Sequence, residues 1–276
     1  MTDYRMRMKK SFFVTTPDEL LKNLPSDFIK KLHVFEQLDS TNSTAKELAV
    51  AGAEEGTVVI AKTQTHGRGR CDRTWQSPKG GVYLSLILRP TSPAEHTSLL
   101  SLLAALAVTT TLESYQVRAT IKWPNDVRVK GKKIAGILLE SEVKGNTVDF
   151  VIIGIGINLN INPTQLSADI RSSSTSLRAE LHHLVDYPEF VRKFFEKCSS
   201  FYSLFKKNDF AGLVNRWKEK TDTIGKHVRI QTAQGTVSGT AVDINPAGYL
   251  LVKNDAGEIR TIMSGDCLYV DESHHT

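Results

Sequence analysis

The segment His66-Gly67-Arg68-Gly69-Arg70-Cys71-Asp72-Arg73-Thr74-Trp75 sets three arginines among glycines and ends on an indole. Glycines allow close backbone approach and leave N–H groups uncovered, while each guanidinium offers a planar fork of donors to phosphate or carboxylate. Trp75 adds a flat surface on which a ring can stack. Taken alone, the stretch reads as readily as a solvated basic loop as it does as a ligand grip, and the ligand could equally be single-stranded nucleic acid. A second segment, Lys122-Trp123-Pro124-Asn125-Asp126, ends a strand abruptly, because proline lacks a donor and Asn and Asp favour turns. Lys122 and Lys133 flank that corner, so two cations and two polar side chains can converge there; as a bare hairpin it would be ordinary. A third segment, Gly154-Ile155-Gly156-Ile157-Asn158, puts two glycines on one face of an apolar strand, which marks close approach by a ligand or by backbone.

What the sequence lacks narrows the chemistry. No third glycine completes a dinucleotide fingerprint, and no Walker A, HExxH, GxSxG or paired Cys/His spacing occurs. Three cysteines, Cys71, Cys198 and Cys267, are odd in number and widely spaced, which indicates neither a disulfide framework nor a zinc site. His182-His183 and His274-His275 read as surface residues.

The elements that must position these segments follow from periodicity. Residues 1–33, with the helix-like run from Asp18 broken at Pro25, form a lead-in too short for a separate module. From 34 to 223 strand and helix patterns alternate. Ser40 to Ser43 form an N-cap cluster ahead of a helix closed by Gly52. Strands are predicted at 57–63, 82–88, 120–123, 133–142 and 147–158, and helices at 96–115, 188–207 and 210–220. The helix at 96–115 is apolar nearly all round and so should be buried. Phe190, Phe194, Cys198, Phe201 and Phe205 recur at helical spacing and read as core. From 224 to 276, short alternating strands separated by Gly, Asn and Asp turns predict a small antiparallel barrel-like domain.

With 40% hydrophobic residues, 276 residues can bury a sizeable core. The longest apolar stretch, near 99–108, is far short of a bilayer span, and no apolar segment follows the basic Arg5, Arg7, Lys9 and Lys10 as in a signal peptide. No membrane association and a cytoplasmic location are expected.

The order and spacing of Asp39-Ser40-Thr41-Asn42, Gln64 ahead of Gly67-Arg68-Gly69-Arg70 with Arg73 and Trp75, Lys122 to Asp126, Lys133 to Gly136 and Gly154 to Leu159 resemble the biotin–protein ligases. The resemblance runs from about residue 36 to residue 160. It implies an α+β fold: a mixed β-sheet catalytic domain packed with helices, plus a small C-terminal SH3-like β-barrel. It also implies ATP-dependent formation of biotinyl-5′-AMP with Mg²⁺, followed by transfer of biotin to a lysine of a biotin carboxyl carrier domain of a carboxylase. By this resemblance Ser40, Thr41, Asn42, Gln64, Gly67, Arg68, Gly69, Arg70, Lys133, Gly136 and Gly156 would hold biotin. Arg70, Arg73, Trp75, Lys122, Asn125, Lys133 and Asn158 would hold ATP, with Trp75 against adenine. Lys133, Arg70 and Asp126 would be catalytic, Asp126 as acceptor of the incoming lysine's proton; no metal ligand is assigned. A flexible Gly/Arg loop ordering over the adenylate would exclude water, so residues 66–75 are expected to be disordered, or to have high B-factors, without ligand. A homodimer is compatible with all of this.

The chain departs from the family pattern at Asp72, where a glycine is usual. Asp tolerates left-handed backbone better than most residues, but its charge is unhelpful beside phosphates. Members that repress transcription carry an N-terminal winged helix; with about 35 residues ahead of the core, DNA binding is not expected.

Three rivals compete with this reading. A lipoate-type ligase lacks the pairing of the Gly-Arg segment with the Lys-Trp-Pro-Asn-Asp corner. A nucleic-acid-binding module would use the basic loop and the barrel, but residues 224–270 carry four cations and four anions and lack aromatic-rich strands. An inactive relative acting as an adaptor is disfavoured, because the site residues are present apart from position 72. Charge placement agrees. Lys62, Arg68, Arg70 and Arg73 against Asp72 give residues 62–73 a net +3, and residues 118–133 carry a net +5, within a chain whose total is +5. The cations gather where a triphosphate and a carboxylate would meet.

Overall fold

The computed structural model describes residues 17–145 and 147–270. The basic residues at 5–10 and the His274-His275 pair lie outside this range. The elements are α1 (Pro17–Lys22), β1 (Lys31–Leu38), α2 (Thr41–Val50), β2 (Thr57–Gln64), β3 (Val82–Leu88), α3 (Leu99–Glu113), β4 (Thr120–Lys122), β5 (Asp126–Val129), β6 (Lys132–Lys144) and β7 (Thr147–Ile157). They continue with α4 (Ala168–Arg171), α5 (Leu177–Leu181), α6 (Tyr187–Lys206), α7 (Phe210–Lys218), β8 (His227–Thr232), β9 (Gly235–Ile244), β10 (Leu250–Lys253), β11 (Ile259–Ile262) and β12 (Asp266–Tyr269).

Strands β1 to β7 form one mixed sheet in the order β1-β2-β3-β7-β6-β5-β4. Of these strands only β1 and β2 pair in parallel, joined through α2. Side chains alternate between the two faces, so strand parity decides what each face meets. One face puts Val58, Ile60, Leu84, Leu86, Val151, Ile153 and Ile155 against α3, α6 and α7. The other puts Val59, Ile87, Phe150 and Ile152 under Ala45 and Ala49 of α2. Because helices cover both faces, β3 is buried at every residue and reads as a continuous apolar run rather than an alternating one.

The expected aromatic stripe is core: Phe190, Phe194, Cys198 and Phe205 are buried, with Phe201 packed beside them. Helix α3 is buried almost all round but begins at Leu99, after a short 3-10 turn at Ala94–His96. The short helices α4 and α5 have no periodic signal, since four or five residues span barely one turn.

The C-terminal sheet is entirely antiparallel, with strand order β11-β10-β9-β8-β12. Its two edges do not pair with each other, so the barrel is open. Each edge strand has only four residues, which leaves too little ladder to close the ring. The sheet docks through Tyr269. Its hydroxyl donates to Asp222 Oδ1 at 2.6 Å and lies 2.8 Å from Thr223 Oγ1. The Thr223 hydroxyl in turn accepts from the Trp123 backbone N–H at 2.9 Å. The Lys122 ammonium stands 4.7 Å above the Tyr269 ring.

Candidate active site

Parallel pairing of β1 and β2 brings both carboxyl ends to one edge of the sheet, where α2 also starts. Ser40 occupies the N-cap position of α2 without a side-chain capping bond. Thr41 N–H donates to Gln64 Oε1 at 2.8 Å, so the end of β2 caps the helix instead. Gln64 Nε2 donates to Ser77 Oγ at 2.8 Å, and the Ser77 hydroxyl donates to the Trp75 carbonyl.

The same face of the sheet carries the next layer. Cross-strand registers place Ser85, Gly154 and Leu138 in one row, and Tyr83, Gly156, Gly136 and Asp126 in the next. The two glycines of β7 therefore continue the face that α2 covers further along. A Cβ on Gly154 would fall 2.0 Å from Asn42 Oδ1, and one on Gly156 would fall 2.4 Å from the Trp75 indole. Gly136 also faces that indole, with a Cβ approach of 3.0 Å. The Trp75 indole thus packs against the glycine floor, its Nε1 buried without a partner. The expected stacking of Trp75 on adenine is not what this packing displays: the ring covers the floor that glycines were expected to leave open.

The basic segment is a tight hairpin. Arg68 bridges Thr74, Trp75 N–H donates to Gly67 O at 2.8 Å, and Gly69 N–H donates to Arg73 O at 2.7 Å. Gly67 is required because a Cβ there would sit 2.3 Å from the Trp75 carbonyl. At the tip, Cys71 and Asp72 both have left-handed backbone, with φ of 52° and 57°. Both central residues of a mirror-image hairpin turn need this conformation, for which glycine is the natural choice. Each non-glycine residue held there adds roughly 1 kcal/mol of strain. Only a few backbone bonds hold the hairpin, so its amides should exchange with solvent much faster than those of β7 when the protein is alone. The biotin and ATP that the resemblance implies should together slow them at least tenfold. Hydrogen exchange read at residues 68–75 tests this, and protection already complete without ligand would refute it.

Carboxylates hold the cations of the pocket. Arg68 pairs with Glu140 at 2.9 Å, Arg73 forms a two-pronged bridge to Asp266 of β12, and Lys133 Nζ lies 2.5 Å from Asp126 Oδ1. Arg70 donates to Asn125 Oδ1 at 3.3 Å. Burial pulls its guanidinium below the usual value, with Cys71, Asp126 and Asp266 acting against that; an arginine remains charged regardless. The Asp266 hydrogen bond raises Arg73 instead. Lys133 Nζ also stands 5.4 Å above the Trp75 ring.

All of these groups except Glu140 line one cleft of ≈ 380 Å³, together with Ser40, Thr41, Asn42, Gln64, Lys122 and Asn158. Gly67 is set just behind it, in the hairpin base. Two expected ligand contacts are turned elsewhere. Asn158 Nδ2 donates to the Thr175 carbonyl at 3.0 Å, and Asn42 Nδ2 donates to Glu140 Oε2 at 2.7 Å. Sequence reasoning missed Glu140, Ser85, Ser77 and the rim formed by Asp266, Cys267 and Leu268. Parity with Gly154 could have flagged Ser85 and Glu140 once strand register was known. Nothing in the sequence ties Asp266 to Arg73.

The chain belongs to the biotin/lipoate A/B protein ligase family, whose model matches residues 34–158. Residues 223–269 match a second model, the biotin protein ligase C-terminal domain. The bifunctional ligase/repressor BirA of Bacillus subtilis (strain 168) is 39% identical over 231 residues, covering 83% of this chain and 71% of that protein. A biotin–[acetyl-CoA-carboxylase] ligase of Paracoccus denitrificans is 34% identical, covering 79% of this chain and 92% of its own length. Among solved structures, the biotin protein ligase of Aquifex aeolicus in complex with biotin and ATP superposes with a TM-score of 0.75 at 30% identity, covering 87% of this chain and 98% of that one.

Proposed function

We infer that the chain is a biotin–protein ligase. It joins the biotin carboxylate to the α-phosphate of ATP, releasing pyrophosphate, and then passes the biotinyl group to a lysine of a biotin carboxyl carrier domain. The observation that carries this reading is the convergence of the Arg hairpin, the Lys122–Asp126 corner and the glycine floor in one cleft. A carboxylate and a triphosphate repel each other, and Lys133 and Arg70 offset that repulsion where the new bond forms. The polar wall of Ser40, Thr41 and Gln64 takes the head of biotin; Gly67, Arg68 and Gly69 cover it. The glycines at 136 and 156 leave room for the Trp75 indole that floors the cleft. Arg73, Lys122, Asn125 and Trp75 border the nucleotide side, and Asn158 braces that wall through Thr175.

Mg²⁺ is part of the proposal. Among the described residues no group of three or more His, Cys, Asp or Glu side chains forms a metal cage. A Mg²⁺ held chiefly by phosphate oxygens and water would need few protein ligands, and Asp126 and Asp266 are the carboxylates that line the cleft. Once bound, the metal would neutralise phosphate charge. In the second half-reaction Asp126 takes the proton of the attacking lysine, whose amine must be neutral to reach the acyl carbon while AMP leaves. No described helix is long and apolar enough to cross a membrane. A cytoplasmic location follows from the substrates proposed.

Incubation with biotin, Mg·ATP and a biotin-acceptor domain should label the acceptor on an avidin blot and support biotin-dependent pyrophosphate exchange. An unlabelled acceptor together with no exchange would defeat the reading.

A further inference from the structure

Strands β4 and β5 carry the end of the cleft that the ligase reading gives to the nucleotide. Thr120 stands opposite Arg128 and Lys122 opposite Asp126, and Asp126 continues the row of Gly136 and Gly156. Side chains directly opposite on paired strands share a face, so Thr120, Lys122, Asp126 and Arg128 all rise on the side that floors the cleft. With three and four residues, these strands offer little ladder to fix what they carry. Strand β12 covers them. Its residues alternate, Cys267 and Tyr269 buried and Leu268 exposed, and Tyr269 is turned onto β4 and β5.

Lys122 lines the cleft yet is only 7% exposed. Its long stem has many rotamers, so a defined position for the ammonium needs a fixed attraction. The Tyr269 ring supplies one: Lys122 Nζ lies 4.7 Å and the Arg128 guanidinium carbon 5.4 Å from its centre, within reach of the negative face of an aromatic ring. The ring is itself held. Its hydroxyl donates to Asp222 Oδ1, and Asp222 Oδ2 accepts from the Thr120 hydroxyl at 2.9 Å. One carboxylate therefore ties Tyr269 to β4. Burial pushes the phenol well above its ordinary value and Asp222 adds to the effect, so the ring stays neutral. Tyr269 does not line the cleft.

We propose that Tyr269 is a positioning residue for ATP: its ring face holds the Lys122 ammonium in place, so the C-terminal sheet shapes the nucleotide end of the cleft through a side chain that touches no ligand. This rests on the ligase reading above.

The test uses variants of the full chain. In Tyr269→Leu the KM for ATP should rise about tenfold, with the KM for biotin within about twofold of the parent. Tyr269→Phe keeps the ring and loses the bond to Asp222, so the melting temperature should fall while the KM for ATP stays within about threefold. Fluorinated phenylalanines installed at position 269 keep the shape and drain the ring face; the KM for ATP should climb with each added fluorine. Lys122→Met removes the group acted upon, and adding Tyr269→Leu to it should raise the KM for ATP by less than about twofold more. The proposal is overturned if Tyr269→Phe matches Tyr269→Leu, if fluorination leaves the KM for ATP flat, or if the KM for biotin rises as much as that for ATP. Each would leave Tyr269 only as a bolt for the C-terminal sheet. A parent protein with no biotin-dependent exchange would overturn the ligase reading and this proposal together.

Discussion

Lys133→Met should slow biotin-dependent adenylation about 10²- to 10³-fold, as loss of one preorganised charge donor does elsewhere. The ammonium is placed for the task by its strand: β6 is held by β5 on one side and β7 on the other, and Lys133 sits at the bulge where the β5 pairing shifts. Its backbone N–H is tied to Ser173 O at 2.8 Å. The loss has a second component. Without Lys133, Asp126 keeps a negative charge with no partner at 2.5 Å, facing the place where two anions must approach. Lys133→Arg should recover part of the rate, since charge is kept while its position changes. Single-turnover formation of biotinyl-AMP is the measurement. A loss below about threefold in Lys133→Met would remove this residue from the chemical step.

Gly156→Ala is the second change with a large expected effect. Its methyl group would enter the space of the Trp75 indole at 2.4 Å. The strand cannot yield, because Gly156 is paired to Tyr83 on one side and Gly136 on the other. The indole must move, and with it the hairpin anchored by the Trp75 N–H to Gly67. Overpacking of this kind costs about 1–3 kcal/mol, or roughly ten- to a hundredfold in ligand affinity if the hairpin relieves it by opening. Calorimetry should show weakened biotin binding. Acrylamide should quench tryptophan emission more readily, since Trp123 and Trp217 are buried elsewhere. Unchanged affinity with unchanged quenching would mean the indole is free to shift at no cost.

Periodicity placed the long elements because burial imposed it. The helix at α3 and the strands at β2, β3, β6 and β7 are legible since apolar residues must face the core. The single-turn helices α4 and α5 bury too little to leave such a pattern. In the site, the clustering of Arg70, Asn125, Asp126 and Lys133 was legible from two short segments whose composition suits no core. The position of Trp75 was not. Its residue type suggested stacking on a ligand, whereas only strand register reveals that it spans two glycines from different strands. Asn42 shows the same limit: type marked it for the site, but Glu140, 98 positions away in sequence, decides which way its amide faces. Asp266 lies 193 residues from its partner Arg73, and no local pattern can carry information across that distance.

The pairing of Arg68, Arg73 and Lys133 with Glu140, Asp266 and Asp126 has a consequence for how a nucleotide is received. The cleft is not a reservoir of unsatisfied positive charge, because each of these three cations already has a counter-anion of its own. A triphosphate would enter as a substitute partner, displacing carboxylates rather than condensed salt, so its affinity should fall only shallowly with ionic strength. Each substitution also changes what the hairpin is fastened to. Arg73 would let go of β12 as it took hold of phosphate, transferring the loop's allegiance from the C-terminal sheet to the ligand it encloses.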